Sequence, residues 1–340
     1  MTPQQWEQLL AVLRGESVSP LPVGFIIDSP WLPGWYGKTI LDYFSDDACW
    51  LEANLAAVNA FPQILFLPGF WSEYGMCSEP ASFGAVCSVY ENEFPFAHPV
   101  PDALNTLRRP DPRTDGLAPF LLRRLERLRP AIEASGHHIR FAVARGPLNI
   151  AAFLMGADEF LMALRMEPEK AHRLLDTITG FLVDWLRLQR ERIDSIDGIF
   201  LLDDIVGFLG EDDFKEFAQP YVMRAFAAFE ASVRFFHNDA HGLVCAPFLA
   251  GMGINLFNFG YAHSMNEMRR LAGDSVTLLG NIPPRDVLAQ GRPAEVEASV
   301  RQLLEQLEVP RRVILSCGGG MPPGVPTENI EAFLRAAASG

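Results

Sequence analysis

Short apolar runs recur along the chain, each stopped by polar residues or glycine and each followed by a segment with helical spacing. Eight such runs read as strands: residues 22–27, 63–67, 139–144, 198–202, 232–236, 254–257, 276–279 and 312–315. The start, Thr2-Pro3-Gln4-Gln5, predicts a capping box, and Trp6, Leu9, Leu10 and Leu13 share the face of the helix it opens, which Gly15 ends. Further helices are predicted over 46–60, 117–135, 212–231, 264–272, 293–307 and 326–338. Two or three more fall within 147–193, the longest being 168–193, and a helix start is read in 241–250. Residues 70–117 break the rhythm with many Pro and Gly; 83–90 suggests a hairpin arm, and long loops of this kind commonly serve as lids or binding loops.

Strand and helix alternating eight times predict one (β/α)8 TIM barrel over residues 1–340, with an N-terminal helix in 1–20 and an insertion in 70–116. In that fold the chemistry lies at the C-terminal ends of the strands. Those ends read Asp28, Pro68, Arg145, Asp203-Asp204, His237-Asn238-Asp239, Asn258, Asn281 and Cys317.

Composition narrows the function. A net charge of −14 lacks the basic face that a nucleic-acid binder needs. Five scattered cysteines with no CxxC pair argue against a disulfide framework or a zinc knuckle. No apolar run is long enough for a membrane span, and the first residues have no basic leader. A cytoplasmic, soluble protein is expected.

The stretch Val233 to Gly242 is the centre of the reading, because a buried strand ends there in His237, Asn238, Asp239 and His241. His237 is either a satisfied strand-end histidine or a ligand. In a barrel, His237, Asp239 and Cys317 approach one another beside Asp203 and Asp204, and imidazole, carboxylate and thiolate make a zinc set with one open position. Without a metal the same groups serve as acid and base. Cys317 is otherwise a small core residue, and one of Asp203 and Asp204 is otherwise a helix cap. Arg145 either binds a substrate carboxylate or is spent on an internal salt bridge. Asp28, Trp31, Tyr74, Asn258 and Asn281 complete the candidate substrate site, with Trp31, Trp35 and Tyr36 as a pocket wall or a plain loop.

Several ordered motifs resemble the uroporphyrinogen decarboxylase superfamily: Arg145-Gly146-Pro147, Met166-Glu167-Pro168-Glu169, Leu202-Asp203-Asp204, Phe217-Ala218-Gln219-Pro220-Tyr221, His237, Leu279-Gly280-Asn281-Ile282-Pro283-Pro284 and Pro326-Thr327-Glu328-Asn329-Ile330. Glu79 and Phe83-Gly84 resemble its arm region. The resemblance implies a barrel, often dimeric, with its site in the mouth. It is closer to the corrinoid-linked methyltransferases than to the decarboxylases. The decarboxylases carry arginines after strand one, where this chain has Ser29-Pro30-Trp31-Leu32-Pro33-Gly34-Trp35, and a histidine between two glycines after strand eight, where it has Gly319. The thiol-methylating members hold zinc with His-x-Cys and a later cysteine. Here His237 matches, Asp239 replaces the first cysteine, Gly319 stands at the second, and Cys317 lies two residues earlier as a substitute.

What the resemblance implies is a methyltransferase that moves a methyl group between a small O- or S-methyl substrate and methylcobalamin carried on a corrinoid protein. Zinc would sit on His237, Asp239 and Cys317, with Asp203 or Asp204 orienting or deprotonating the substrate. The alternatives are a cofactor-independent decarboxylase that uses Arg145 with Asp28 or Asp203, and a non-catalytic binding barrel.

Overall fold

A computed structural model describes residues 1–339. Parallel strands form at the apolar runs: β1 (Gly24–Ile26), β2 (Leu65–Leu67), β3 (Phe141–Arg145), β4 (Gly198–Leu202), β5 (Val233–Asn238), β6 (Leu256–Phe259), β7 (Thr277–Ile282) and β8 (Val313–Cys317). β3 to β8 make one six-stranded parallel sheet in chain order, and β1 pairs with β2. Bridges from Val23 to Leu315 and from Ile26 to Gly320 join β1 to β8. The strands close on themselves except between β2 and β3, where no ladder forms among the described residues. This is the predicted (β/α)8 barrel.

Side chains fill the gap. The free edge of β3 must find partners for its backbone groups, because a buried N–H or C=O left alone is costly. Gln189, on the long helix α6 defined below, accepts from Val143 N and donates to Val143 O, both at 3.0 Å. One glutamine amide thus stands in for a neighbouring strand. Two residues on, Arg145 N donates to Glu79 Oε1 at 3.1 Å.

Period-two alternation sorts the strand residues. Phe141, Val143, Phe200, Val233, Phe235, Leu256, Leu279 and Ile314 pack together inside the barrel. Ala142, Ala144, Ile199, Leu201, Phe236, Phe257, Leu278, Val313 and Leu315 belong to the core under the helices. Continuing the inward row towards the C-terminal ends reaches Arg145, Leu202, His237, Asn258, Asn281 and Ser316. Apart from Leu202, a polar layer therefore lies above an apolar one.

Helix α1 (Pro3–Arg14) forms as its sequence dictates: Thr2 accepts from Gln5 N, Gln5 accepts from Thr2 N, and Gly15 closes the helix in the left-handed region. Its buried face is Trp6, Leu9, Val12 and Leu13, with Val12 in the place expected for Leu10. This face packs on the inner strand residues.

The surrounding helices are α2 (Asp47–Ala60), α3 (Ala118–Ala134), α4 (Pro147–Met155), α5 (Ala157–Met166), α6 (Pro168–Arg192), α7 (Gln219–Phe226), α8 (Met265–Ala272), α9 (Pro293–Gln306) and α10 (Thr327–Ala337). Among the described residues, no single helix is long and apolar enough to cross a membrane. The helix predicted over 212–231 is broken: Pro220 has no N–H to donate, a π-turn occupies Phe214–Ala218 before it, and α7 ends early at Phe226. The helix start read in 241–250 shrinks to a single turn at Ala246–Phe248, with Pro247 within it. The arm is present, but its ladder pairs Cys87–Ser88 with Phe96–Ala97.

Candidate metal centre at the barrel mouth

Strand β5 delivers His237 inward and β6 delivers Asn258 beside it. Asn258 Nδ2 donates to Leu279 O at 2.8 Å and Cys317 O at 3.3 Å, so its Oδ1 is the atom that faces His237 Nδ1, at 2.7 Å. An amide oxygen only accepts, so Nδ1 carries a hydrogen and Nε2 is the ring nitrogen turned to the mouth. Nε2 faces Asp204 Oδ1, 3.5 Å away, and Asp239 Oδ2, 3.8 Å away.

Three electron-rich atoms facing one another repel unless a proton or a cation lies among them. One donor atom each from Asp204, His237 and Asp239 lies within 4.8 Å of the others. Ligands about 2.1 Å from a tetrahedral zinc lie roughly 3.4 Å apart, and the two separations from His237 Nε2, 3.5 and 3.8 Å, are near that spacing. Asp204 is fixed by accepting Asp239 N–H at 3.2 Å. Burial pushes the Asp239 carboxyl above the usual carboxylate range; His237 pulls it down and Asp204 pushes it up. Both carboxylates remain partly open to solvent, with side chains 38% and 43% exposed, which leaves a side of the centre free for a substrate.

Gly319 explains why no fourth ligand comes from the loop after β8. It sits at φ +124°, and a Cβ there would fall 2.6 Å from Asp239 Oδ2. The Asp239 carboxylate takes up the space that a side chain at 319 would need.

Two expected members lie elsewhere. Cys317 has the outward parity of Val313 and Leu315, its thiol donates to Gly319 O, and burial pushes its pKa up to about 12. It is not in the cluster that could hold a metal. Asp203 follows the outward row of Leu201. Its two oxygens accept from Leu148 N and Asn149 N, both at 2.9 Å, so it caps α4 instead of facing the mouth. Its burial raises its pKa, and the two amide donors oppose that shift. A Cβ at Gly146 would meet its Oδ2 at 2.2 Å, which is the physical reason for glycine there. The adjacent pair thus divides, one residue to a helix cap and one to the centre.

The expected substrate residues also separate. Arg145 is buried and spent: Glu73 and Glu79 each hold its guanidinium at 3.3 Å. It is not free to clamp a substrate carboxylate. Glu73 also accepts from Ser29 N and Ser29 Oγ. Asp28 joins this buried group, with its Oδ1 enclosed and unpartnered. Sequence reasoning missed Glu73 altogether, since nothing marks it as inward in an irregular loop. Trp31 is a core residue that donates to Val325 O and stacks on Trp35, so this loop packs against the C-terminal segment. Tyr74 accepts from Arg124 and lines an apolar cleft of the arm. Asn258 orients His237, and Asn281 donates to His263 O.

The uroporphyrinogen decarboxylase (URO-D) family profile matches residues 4–339. Curated relatives include a uroporphyrinogen decarboxylase of Chlorobium luteolum, 27% identical over 53% of this chain and 53% of its own length. They also include the methylated-thiol–coenzyme M methyltransferase of Methanosarcina mazei, 25% identical over 65% of this chain and 58% of its own. The chain thus spans little more than half the length of these curated relatives. Among solved structures, a methyltransferase from Methanosarcina mazei superposes with a TM-score of 0.83 at 20% identity, covering 98% of both chains. A B12-independent methionine synthase from Shewanella sp. W3-18-1 superposes with a TM-score of 0.60 at 12% identity, covering 94% of this chain and 96% of its own. The chain belongs to the uroporphyrinogen decarboxylase family, whose relatives here are enzymes, either decarboxylases or methyltransferases.

Proposed function

We propose that this member of the uroporphyrinogen decarboxylase family transfers a methyl group between a small O- or S-methylated substrate and a corrinoid on a partner protein, with zinc held by Asp204, His237 and Asp239. One observation carries the reading: a histidine held by Asn258 at Nδ1, with its Nε2 facing two carboxylates. Zinc bound there would supply a Lewis acid for the substrate heteroatom. Asn258 holds the imidazole in the ligating tautomer, as outer partners of metal-bound histidines do. Two carboxylates in place of two thiolates make a harder donor set, which favours an oxygen-bearing substrate such as a methyl ether.

Decarboxylation is the rival, since decarboxylases also stand among the relatives. It calls for a cation to hold the substrate acid. Among the described residues, Arg145 is the one arginine or lysine at a barrel strand's C-terminal end, and Glu73 and Glu79 already neutralise it.

The test is metal analysis of wild type and His237→Ala, followed by a demethylation screen of methyl ethers and thioethers with reduced cobalamin as acceptor. About one zinc per chain, lost in the variant, with methylcobalamin formed from an ether, is expected. Wild-type protein that retains no zinc after resupply, and methylates no cobalamin across the panel, would sink the reading.

A further inference from the structure

The end of the barrel opposite the metal centre holds a cleft of about 360 Å³. It lies where α1 and α8 end and where β7 and β8 are about to begin. Four arginines line it, Arg14, Arg269, Arg311 and Arg312, with Asp274 as the one acid. The chain as a whole carries a net charge of −14, so this is a local reversal of sign.

Most of that positive charge is unpaired. Arg14 is held by Glu7 and Glu16. Arg269 is only 9% exposed, and a charge so buried ordinarily has an ionic partner. Its guanidinium instead donates to backbone carbonyls: Gly273 O at 3.0 Å, Val276 O at 2.6 Å, Arg311 O at 3.2 Å and Arg312 O at 2.9 Å. Arg312 Nη1 donates to Leu13 O at the end of α1 and to Ser275 O at 3.2 Å. These carbonyls solvate the two cations without cancelling their charge. Arg312 Nε and Nη2 have no partner among the described residues, and neither has the exposed Arg311 side chain. Arg312 also sits at φ +54°, the left-handed region that residues with a Cβ rarely adopt. Backbone strain of this kind collects at ligand sites.

We propose that this cleft binds a small phosphate-bearing anion of two or more negative charges, held by Arg311 and Arg312 with Arg269 behind them. Guanidinium groups present paired N–H donors that match two phosphate oxygens at once. Arg311 has its whole fork to offer, Arg312 has Nε and Nη2, and Arg269 adds charge while its own donors stay on the carbonyls. The cleft is of a size usual for small-molecule sites. No aromatic ring lines it, so the phosphate groups and not a stacked base carry the recognition. Through Arg312 the anion would tie the end of α1 to the turn before β8, and a ligand bound only by the folded chain stabilises it.

The experiment titrates the whole protein by calorimetry in phosphate-free buffer with inorganic diphosphate, orthophosphate, ADP and adenosine. Sodium chloride at matched ionic strength is the control. One diphosphate per chain is expected to bind wild type and His237→Ala alike, with no such response to chloride. Arg311→Gln, an exposed change with no contact to lose, should weaken binding about 10-fold or more, and Arg311→Glu should abolish it. Diphosphate should raise the thermal midpoint of wild type but not of Arg311→Glu. ADP binding as tightly as diphosphate would assign the site to the phosphates of a nucleotide; weaker ADP binding would assign it to free phosphate or diphosphate. Each is the proposed chemistry. The proposal is overturned if no phosphate compound binds wild type, or if Arg311→Gln and Arg311→Glu bind as wild type does. Loss of binding in His237→Ala, which would put the anion at the mouth, or binding of adenosine alone would overturn it equally.

Discussion

Asn258 Oδ1 lies 2.7 Å from His237 Nδ1, and the two residues are direct neighbours across β5 and β6. The contact sets which nitrogen of His237 faces the carboxylates, so in the proposed metal centre Asn258 is a positioning residue that does not touch the ion. Asn258→Leu should lower zinc affinity about 10- to 100-fold, the usual cost of losing an outer partner of a metal-bound histidine. Zinc competition against a chelator measures this. Unchanged affinity in a folded variant would remove His237 Nε2 from the ligand set.

Gly319 makes a second, steric test of the same centre. The nearest atoms to a Cβ at 319 all belong to Asp239. Gly319→Ala should destabilise the fold by about 1–3 kcal/mol through its left-handed backbone and should weaken metal retention. In an Asp239→Ala background the added methyl meets no carboxylate, so the stability loss should shrink by about 0.5–2 kcal/mol. Urea unfolding of the four proteins closes the cycle. Additive losses would mean that the two residues do not share this space.

Much of this was legible in the sequence, and the parts that were not have physical reasons. The eight strands announce themselves because each is a short apolar run with a polar stop. Strand ends point to His237 and Asp239 as ligands, with Asp204 beside them as a group to orient or deprotonate the substrate, and the structure brings the three together. Cys317 and Asp203 fail by one position each: both sit next to an inward residue, and a single step along a strand turns a side chain to the other face. Arg145 was open between ligand and salt bridge because its partners, Glu73 and Glu79, lie in an irregular loop where no period tells which way a side chain points. Trp31 and Tyr74 were drawn to the site by residue type, whereas long-range packing on Val325 and Arg124 governs them.

Gln189 closes the barrel wall by bonding both polar groups of Val143. Gln189→Leu keeps the apolar contacts of α6 but leaves a buried N–H and a buried C=O without partners. Each such group costs about 1–3 kcal/mol, so a loss on the order of 3 kcal/mol is expected. Chemical denaturation measures it. Hydrogen exchange should show Val143 N–H, protected in the wild type, exchanging faster. A loss under about 0.5 kcal/mol would show that β3 finds other partners at this edge.

Asp28 governs a pH dependence whose sign follows from its surroundings. Three carboxyl groups, on Asp28, Glu73 and Glu79, share one guanidinium, that of Arg145. Burial pushes the Asp28 carboxyl well above its ordinary range, Glu73 pushes it further, and Arg145 only partly offsets this. The folded protein therefore holds this proton at pH values where the unfolded chain, with a pKa of about 3.9, has released it. With more protons bound in the folded state, unfolding free energy falls as pH rises. The contribution is fully present below about pH 4 and is lost as pH climbs through the folded-state pKa. Asn in place of Asp28 is neutral at every pH and nearly the same shape. Asp28→Asn should thus flatten the stability curve above about pH 4 and gain on wild type as pH rises towards neutrality. Urea unfolding of both proteins at mildly acidic and neutral pH gives the comparison. A wild-type advantage that grows with pH would mean that Asp28 is ionised in the fold.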